Sequence, residues 1–109
     1  MNFIAALQQI GDEGMYRAFK NFQFGNVRLS VQASFAHYCT PRVTRDDLSI
    51  YSTMEFALLD KNGEFIRVKD VLPDFPLLDE IERHYDSVYA YVPIELIEAL
   101  YNALVESME

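Results

Sequence analysis

The sequence predicts an α+β fold: a three-stranded antiparallel β-meander, with room for a fourth short strand, covered by N-terminal and C-terminal helices. Three observations predict it. Apolar residues recur at helical spacing before Gly25 and again after Pro76. Between those stretches they alternate with period two. An Asn62-Gly63 dipeptide, a strong hairpin signal, separates two alternating runs. With 109 residues, 50% hydrophobic and 14% aromatic, the chain can bury a core as one domain spanning 1–109.

Asn2 can cap a first helix on which Phe3, Ile4, Leu7 and Ile10 share a face, and Gly11 ends it. Asp12 can cap a second, with Met15, Ala18, Phe19 and Phe22 on one side, and Gly25 closes the segment. Val27, Leu29, Val31, Ala33, Phe35, His37 and Cys39 then alternate with Arg28, Ser30, Gln32, Ser34, Ala36 and Tyr38, the pattern of a long half-buried strand. Pro41 cannot donate to a ladder and opens a polar connection.

Side-chain faces choose the hairpin register. A two-residue turn would set Leu58 opposite Arg67. A three-residue loop of Lys61, Asn62 and Gly63, with Gly63 left-handed, pairs Leu58 with Ile66, Phe56 with Val68 and Glu55 with Lys69. Leu59 and Phe65 then form an outward apolar pair. "LPDFP" breaks the strand, and Pro76 suits the first turn of a helix over 77–87, with Asp79 and Glu80 near its positive end. Leu78, Ile81, Tyr85 and Val88 make its apolar stripe. "VYAYV" reads as a short edge strand or extended link. Pro93 opens a last helix over 93–107, whose inner stripe is Ile94, Ile97, Leu100, Tyr101 and Leu104, and whose outer stripe is Glu95, Glu98, Asn102, Glu106 and Glu109.

Charge narrows the function. Residues 1–69 carry eight basic and seven acidic groups, whereas residues 70–109 carry one and ten, for a net charge of −8. Direct nucleic-acid binding is disfavoured, because phosphate affinity comes mainly from Lys and Arg. No apolar run is long enough for a membrane helix. The N-terminus lacks the basic region of a signal peptide. A single cysteine, Cys39, excludes an intrachain disulfide and fits a reducing, cytoplasmic setting.

His37 and Cys39, two apart on one predicted strand, are the residues best able to form a nucleophile pair. On that register they continue the inward face with no third, orienting group, so their expected role is structural. Asp46 and Asp47 read as a solvated turn beside Arg42 and Arg45. His37, Cys39 and His84 show no zinc-ligand spacing, and the glycines form no phosphate loop. No metal or cofactor is expected.

The predicted helices turn Asp79, Glu82 and Asp86, then Glu95 and Glu98, toward solvent. Tyr89 and Tyr91 share a face of the extended segment between them. Solubility alone does not require such clustering, whereas a negative surface with tyrosines steers and anchors a basic protein partner. The expected function is therefore a non-catalytic protein-binding domain using Asp79, Glu82, Asp86, Tyr89, Tyr91, Glu95 and Glu98. Its partner would be a protein with a basic surface, such as a nucleic-acid-binding protein, whose phosphate-binding groove the acidic face would occupy by imitating nucleic-acid charge. In size and charge the chain resembles small acidic phage-encoded inhibitors, including anti-CRISPR proteins. Two alternatives belong to other classes: a small enzyme or ligand-binding domain using the His37/Cys39 sheet face, and a homo-oligomer assembled through Leu59, Phe65 and the strand edges.

Overall fold

The computed structural model describes residues 3–11 and 18–107. A short helix, α1 (Phe3–Ala6), leads into β1 (Gln9–Gly11), β2 (Ala18–Phe19), β3 (Phe22–Phe24) and β4 (Val27–Gln32). A 3-10 turn at Leu48–Ile50 precedes β5 (Thr53–Leu59) and β6 (Phe65–Ile66). Then follow α2 (Val68–Val71), α3 (Leu78–Glu82), β7 (Tyr85–Asp86), β8 (Val88–Pro93) and α4 (Ile94–Ser107).

The α+β class holds, but the sheet is larger than the expected meander. Its strands run β3-β4-β5-β8-β7, all antiparallel, with β6 joined to the end of β5; β1 and β2 form a separate ribbon. The strand at 88–93 is an interior neighbour of β5 rather than an edge, and β7 is the edge outside it. β5 buries every second residue, Met54, Phe56 and Leu58, as a strand with one covered face must. These join Leu29, Val31, Tyr89 and Val92 from neighbouring strands, and Ile97, Leu100, Tyr101 and Leu104 from α4, in one core. Tyr101 packs its ring against Phe3, Phe22 and Phe24, tying α4 to the opposite edge of the sheet.

The hairpin takes the three-residue loop. Leu58 faces Ile66, Leu59 faces Phe65, and Gly63 has φ +80°. The ladder stops there: Val68 begins a helix, so Phe56 pairs with Tyr89 instead of Val68, and Glu55 with Gln32 instead of Lys69.

Four other expectations need correction. The first N-terminal helix ends at Ala6 rather than before Gly11, and Ile10 is exposed on β1 instead of sharing a helix face. The second N-terminal helix falls partly on residues 12–17, outside the described residues, and its remainder is strand at Ala18–Phe19 and Phe22–Phe24. The long strand through Cys39 ends at Gln32, whose amide accepts from the Phe19 N–H (2.8 Å) and donates to the Phe19 carbonyl (3.0 Å), docking β2 on β4. The helix expected over 77–87 stops at Glu82, and the chain turns into the hairpin of β7 and β8, with the His84 carbonyl accepting from the Ala90 N–H at 3.0 Å. No helix among the described residues is long and apolar enough to cross a membrane.

Candidate functional site

The seven residues expected to bind a partner divide sharply. Asp79, Asp86, Tyr91 and Glu95 are exposed. Tyr89, expected on the surface, is 1% exposed and stacked on Phe56, with centroids 4.3 Å apart and planes within 4°. Glu82, expected to face solvent, is held inside an ion pair. Glu98 is half-buried: its Oε1 accepts from the Phe3 N–H at 3.0 Å, and its buried Oε2 has no hydrogen-bond partner among the described residues.

Glu82 is the centre of a closed cluster. Arg67 donates to its Oε1 from Nε at 3.1 Å and from Nη2 at 2.8 Å. The Tyr89 hydroxyl donates to the same oxygen at 2.9 Å and accepts from the Val68 N–H, while the Lys69 N–H donates to Oε2. The Arg67 guanidinium lies 4.0 Å from the Tyr85 ring centre. Burial pushes the Glu82 carboxyl up, but the hydrogen bonds from Arg67, the Lys69 amide and Tyr89 outweigh it and hold the group below its ordinary value. Burial drives the Tyr89 phenol up to about 12, with the Val68 N–H opposing and the Glu82 carboxylate adding to the rise. The Tyr89 hydroxyl, the Lys69 N–H and two N–H groups of Arg67 all converge on one carboxylate, so the cluster fastens α2, α3 and β8 together.

Tyr91 has a different fate because β8 carries an extra residue. Met54 faces Val92 and Phe56 faces Tyr89, so three steps along β8 match two along β5. This is a β-bulge, which re-aims the side chains it contains. Tyr91 sits in it at φ +52° and is 45% exposed. Its N–H donates to the Tyr38 carbonyl at 3.1 Å. Tyr38, 42% exposed, donates its own N–H to Glu55 Oε1 at 3.3 Å. The two tyrosine rings stand 5.8 Å apart at 42°.

They form the wall of an open groove of about 510 Å³, completed by Glu55, Asp86, Ser87, Val88 and Ala90. Two of these residues, Ser87 (φ +68°) and Tyr91, are the described non-glycine residues with positive φ. Left-handed backbone at ordinary residues costs energy and clusters at binding sites. The Asp86 carboxylate has no hydrogen bond or ion pair among the described residues. Two ring faces beside two carboxylates attract a cation, by quadrupole and by charge. The Arg42 guanidinium already lies 5.1 Å from the Tyr38 ring centre, and its Nε donates to the Phe35 carbonyl at 3.1 Å.

Sequence reasoning missed Tyr38 and Glu55 as partners of Tyr91. The outward direction of Glu55 was readable from the hairpin alternation, but nothing in the sequence brings residue 38 across the sheet to residue 91. His37 and Cys39 lie in the turn after β4, not on a strand. His37 Nδ1 is 2.6 Å from Ser34 Oγ, Ser34 is fully buried, and the buried Cys39 thiol donates to the Ser34 carbonyl at 3.3 Å. These contacts close the turn that delivers Tyr38 to the groove. No His, Cys, Asp and Glu grouping among the described residues could hold a metal ion.

No protein-family model, curated protein or solved structure matches the chain.

Proposed function

We propose that the protein is a binding module that captures a basic segment of a protein partner at the groove of Tyr38, Tyr91, Glu55 and Asp86. The observation that carries this reading is a pair of half-exposed tyrosine rings, Tyr91 on the strained bulge and Tyr38 against it, lining one groove with the carboxylates of Glu55 and Asp86. Tyrosine supplies contact area at low entropic cost and is enriched where interfaces are anchored. The surrounding charge supports it: residues 70–109 carry ten acidic groups against one basic, which speeds encounter with a cationic surface. An inhibitory role, with the acidic surface imitating nucleic-acid charge, is the extended form of this reading. It draws on the exposed carboxylates of Asp79, Glu80, Asp86 and Glu95.

The test is a titration of the isotope-labelled chain with a basic decapeptide of mixed Arg and Lys. The amides of Ser87, Ala90 and Tyr91 should shift, and binding should weaken as salt rises from about 0.1 M to about 1 M, as the Debye length falls from about 10 Å to about 3 Å. Shifts elsewhere, or binding indifferent to salt, would remove the groove from the function.

A further inference from the structure

We infer that the groove selects the guanidinium of an arginine over the ammonium of a lysine. This rests on the binding reading above and names its ligand.

The chain contains its own precedent. The Arg67 guanidinium carbon lies over the Tyr85 ring, 4.0 Å from its centre, while two of its N–H groups reach Glu82 Oε1 at 3.1 and 2.8 Å. One guanidinium thus satisfies a tyrosine face and a carboxylate together. Arg42 repeats half of the arrangement on the Tyr38 ring, with its Nε turned to a backbone carbonyl. The groove is lined by the carboxylates of Glu55 and Asp86 and by the rings of Tyr91 and Tyr38, of which Tyr38 already holds Arg42 over one face and Tyr91 holds no cation of this chain among the described residues. Glu55 Oε1 already accepts from the Tyr38 N–H. Glu55 Oε2 and both Asp86 oxygens are the acceptors left for a ligand.

A planar guanidinium can lie on a ring and donate from its edge to a carboxylate in the same pose. An ammonium is a compact, strongly hydrated charge without a planar face, so it gains less from the rings for the water it gives up. A trimethylated ammonium can use the rings but has no donor for the carboxylates. β7 sets the two sites back to back. Tyr85 takes Arg67 from this chain, and its neighbour Asp86 lines the groove.

The experiment titrates the labelled full chain with four blocked pentapeptides, Gly-Gly-X-Gly-Gly, where X is arginine, lysine, trimethyllysine or citrulline. The readout is the amide shifts of Ser87, Ala90 and Tyr91. The arginine peptide should bind roughly 3–10-fold more tightly than the lysine peptide, the gain of one stacked, charge-assisted contact. Citrulline, which keeps the plane but loses the charge, should leave these amides unmoved. Asp86→Asn should reduce the preference for arginine while the spectrum stays that of the folded chain. Lysine or trimethyllysine binding as tightly as arginine would overturn the selectivity and leave cation capture standing. Citrulline binding as tightly as arginine would show that charge is not what is read. Unmoved groove amides with every peptide would overturn both the selectivity and the proposed function.

Discussion

Tyr89 and Tyr91 lie two residues apart on one strand, each close to a carboxylate and to a second aromatic ring, and they end on opposite sides of the sheet. Around Tyr89 the carboxylate and the phenol are engaged internally: Glu82 takes Arg67, the phenol and a backbone amide, and Tyr85 takes the guanidinium. Around Tyr91 the same ingredients stay open. Its ring meets Tyr38, and the Asp86 carboxylate is exposed. Composition does not separate the two sites. One extra residue in β8 does, because it breaks the alternation that would have put both rings on one face. The closed site is a fastener and the open one a docking surface, and each can be broken on its own.

The largest expected effect is on the closed side. Tyr89→Ala removes a fully buried ring stacked on Phe56, and should destabilise by about 3–5 kcal/mol, the usual cost of truncating a buried aromatic. Tyr91→Ala should change stability by less than about 1 kcal/mol, as at other exposed positions. Urea denaturation of both variants tests the contrast. Similar losses for the two would mean that Tyr91 is structural as well.

Next comes Glu82. Glu82→Ala leaves the Tyr89 hydroxyl and the Lys69 N–H without their acceptor and should cost about 1–3 kcal/mol. The pH dependence sharpens this. The folded carboxyl lies below its ordinary value of 4.5, so its contribution is present above that pH and is lost as pH falls through the folded value. The phenol runs the other way. Its folded value is raised from 10.0 to about 12, so the stability linked to it is intact below pH 10 and is lost as pH rises toward 12. Glu82→Gln should remove part of the acid-side loss of stability, and Tyr89→Phe part of the alkaline one. Denaturation midpoints at pH 3, 7 and 11 check both signs, the pH points being set about these two values. A Glu82→Gln profile that still falls as steeply in acid would assign the acid sensitivity to another carboxylate.

How much of this was legible follows from the same bulge. The hairpin register, the turn at Gly63 and the last helix were readable, because long alternating or 3.6-period runs impose one solution on the backbone. The exposed positions of Asp79 and Glu95 followed from helix geometry. The inward turn of Glu82 did not, since its direction is set by Arg67, 15 positions away in sequence. Strands of two or three residues, such as β2, β3 and β7, carry too little pattern to outvote a helical reading of the same apolar residues. Phe19 and Phe22 fit a helix face as well as they fit two strands. The helical stripe turns Glu98 outward, yet α1 settles over it and its Phe3 N–H donates to the carboxylate. Tyr38 and Tyr91 meet only because the turn after β4 folds across the sheet, a contact with no local signature.

The smallest expected effect concerns the backbone beneath the groove. The chain places glycine at positive φ where a plain turn needs it, at Gly25 and Gly63, but serine and tyrosine at the groove, at Ser87 and Tyr91. Space is not the constraint at Gly63, since an added Cβ would stand 3.7 Å from Arg28 Nη2, an ordinary contact. Gly63→Ser should therefore show the conformational cost nearly alone, about 1 kcal/mol. The reciprocal change, Ser87→Gly, relieves the same geometry but loosens the unfolded chain, so it should stabilise by only a few tenths of a kcal/mol, up to about 1. If the strain at residue 87 serves to hold the groove in a binding shape, the gain in stability should come with weaker capture of the basic decapeptide. Thermal melts and peptide titrations on Ser87→Gly measure the two together. A variant more stable and equally good at binding would make the serine incidental to the groove, and would leave the bulge at Tyr91 as the feature that separates the open site from the closed one.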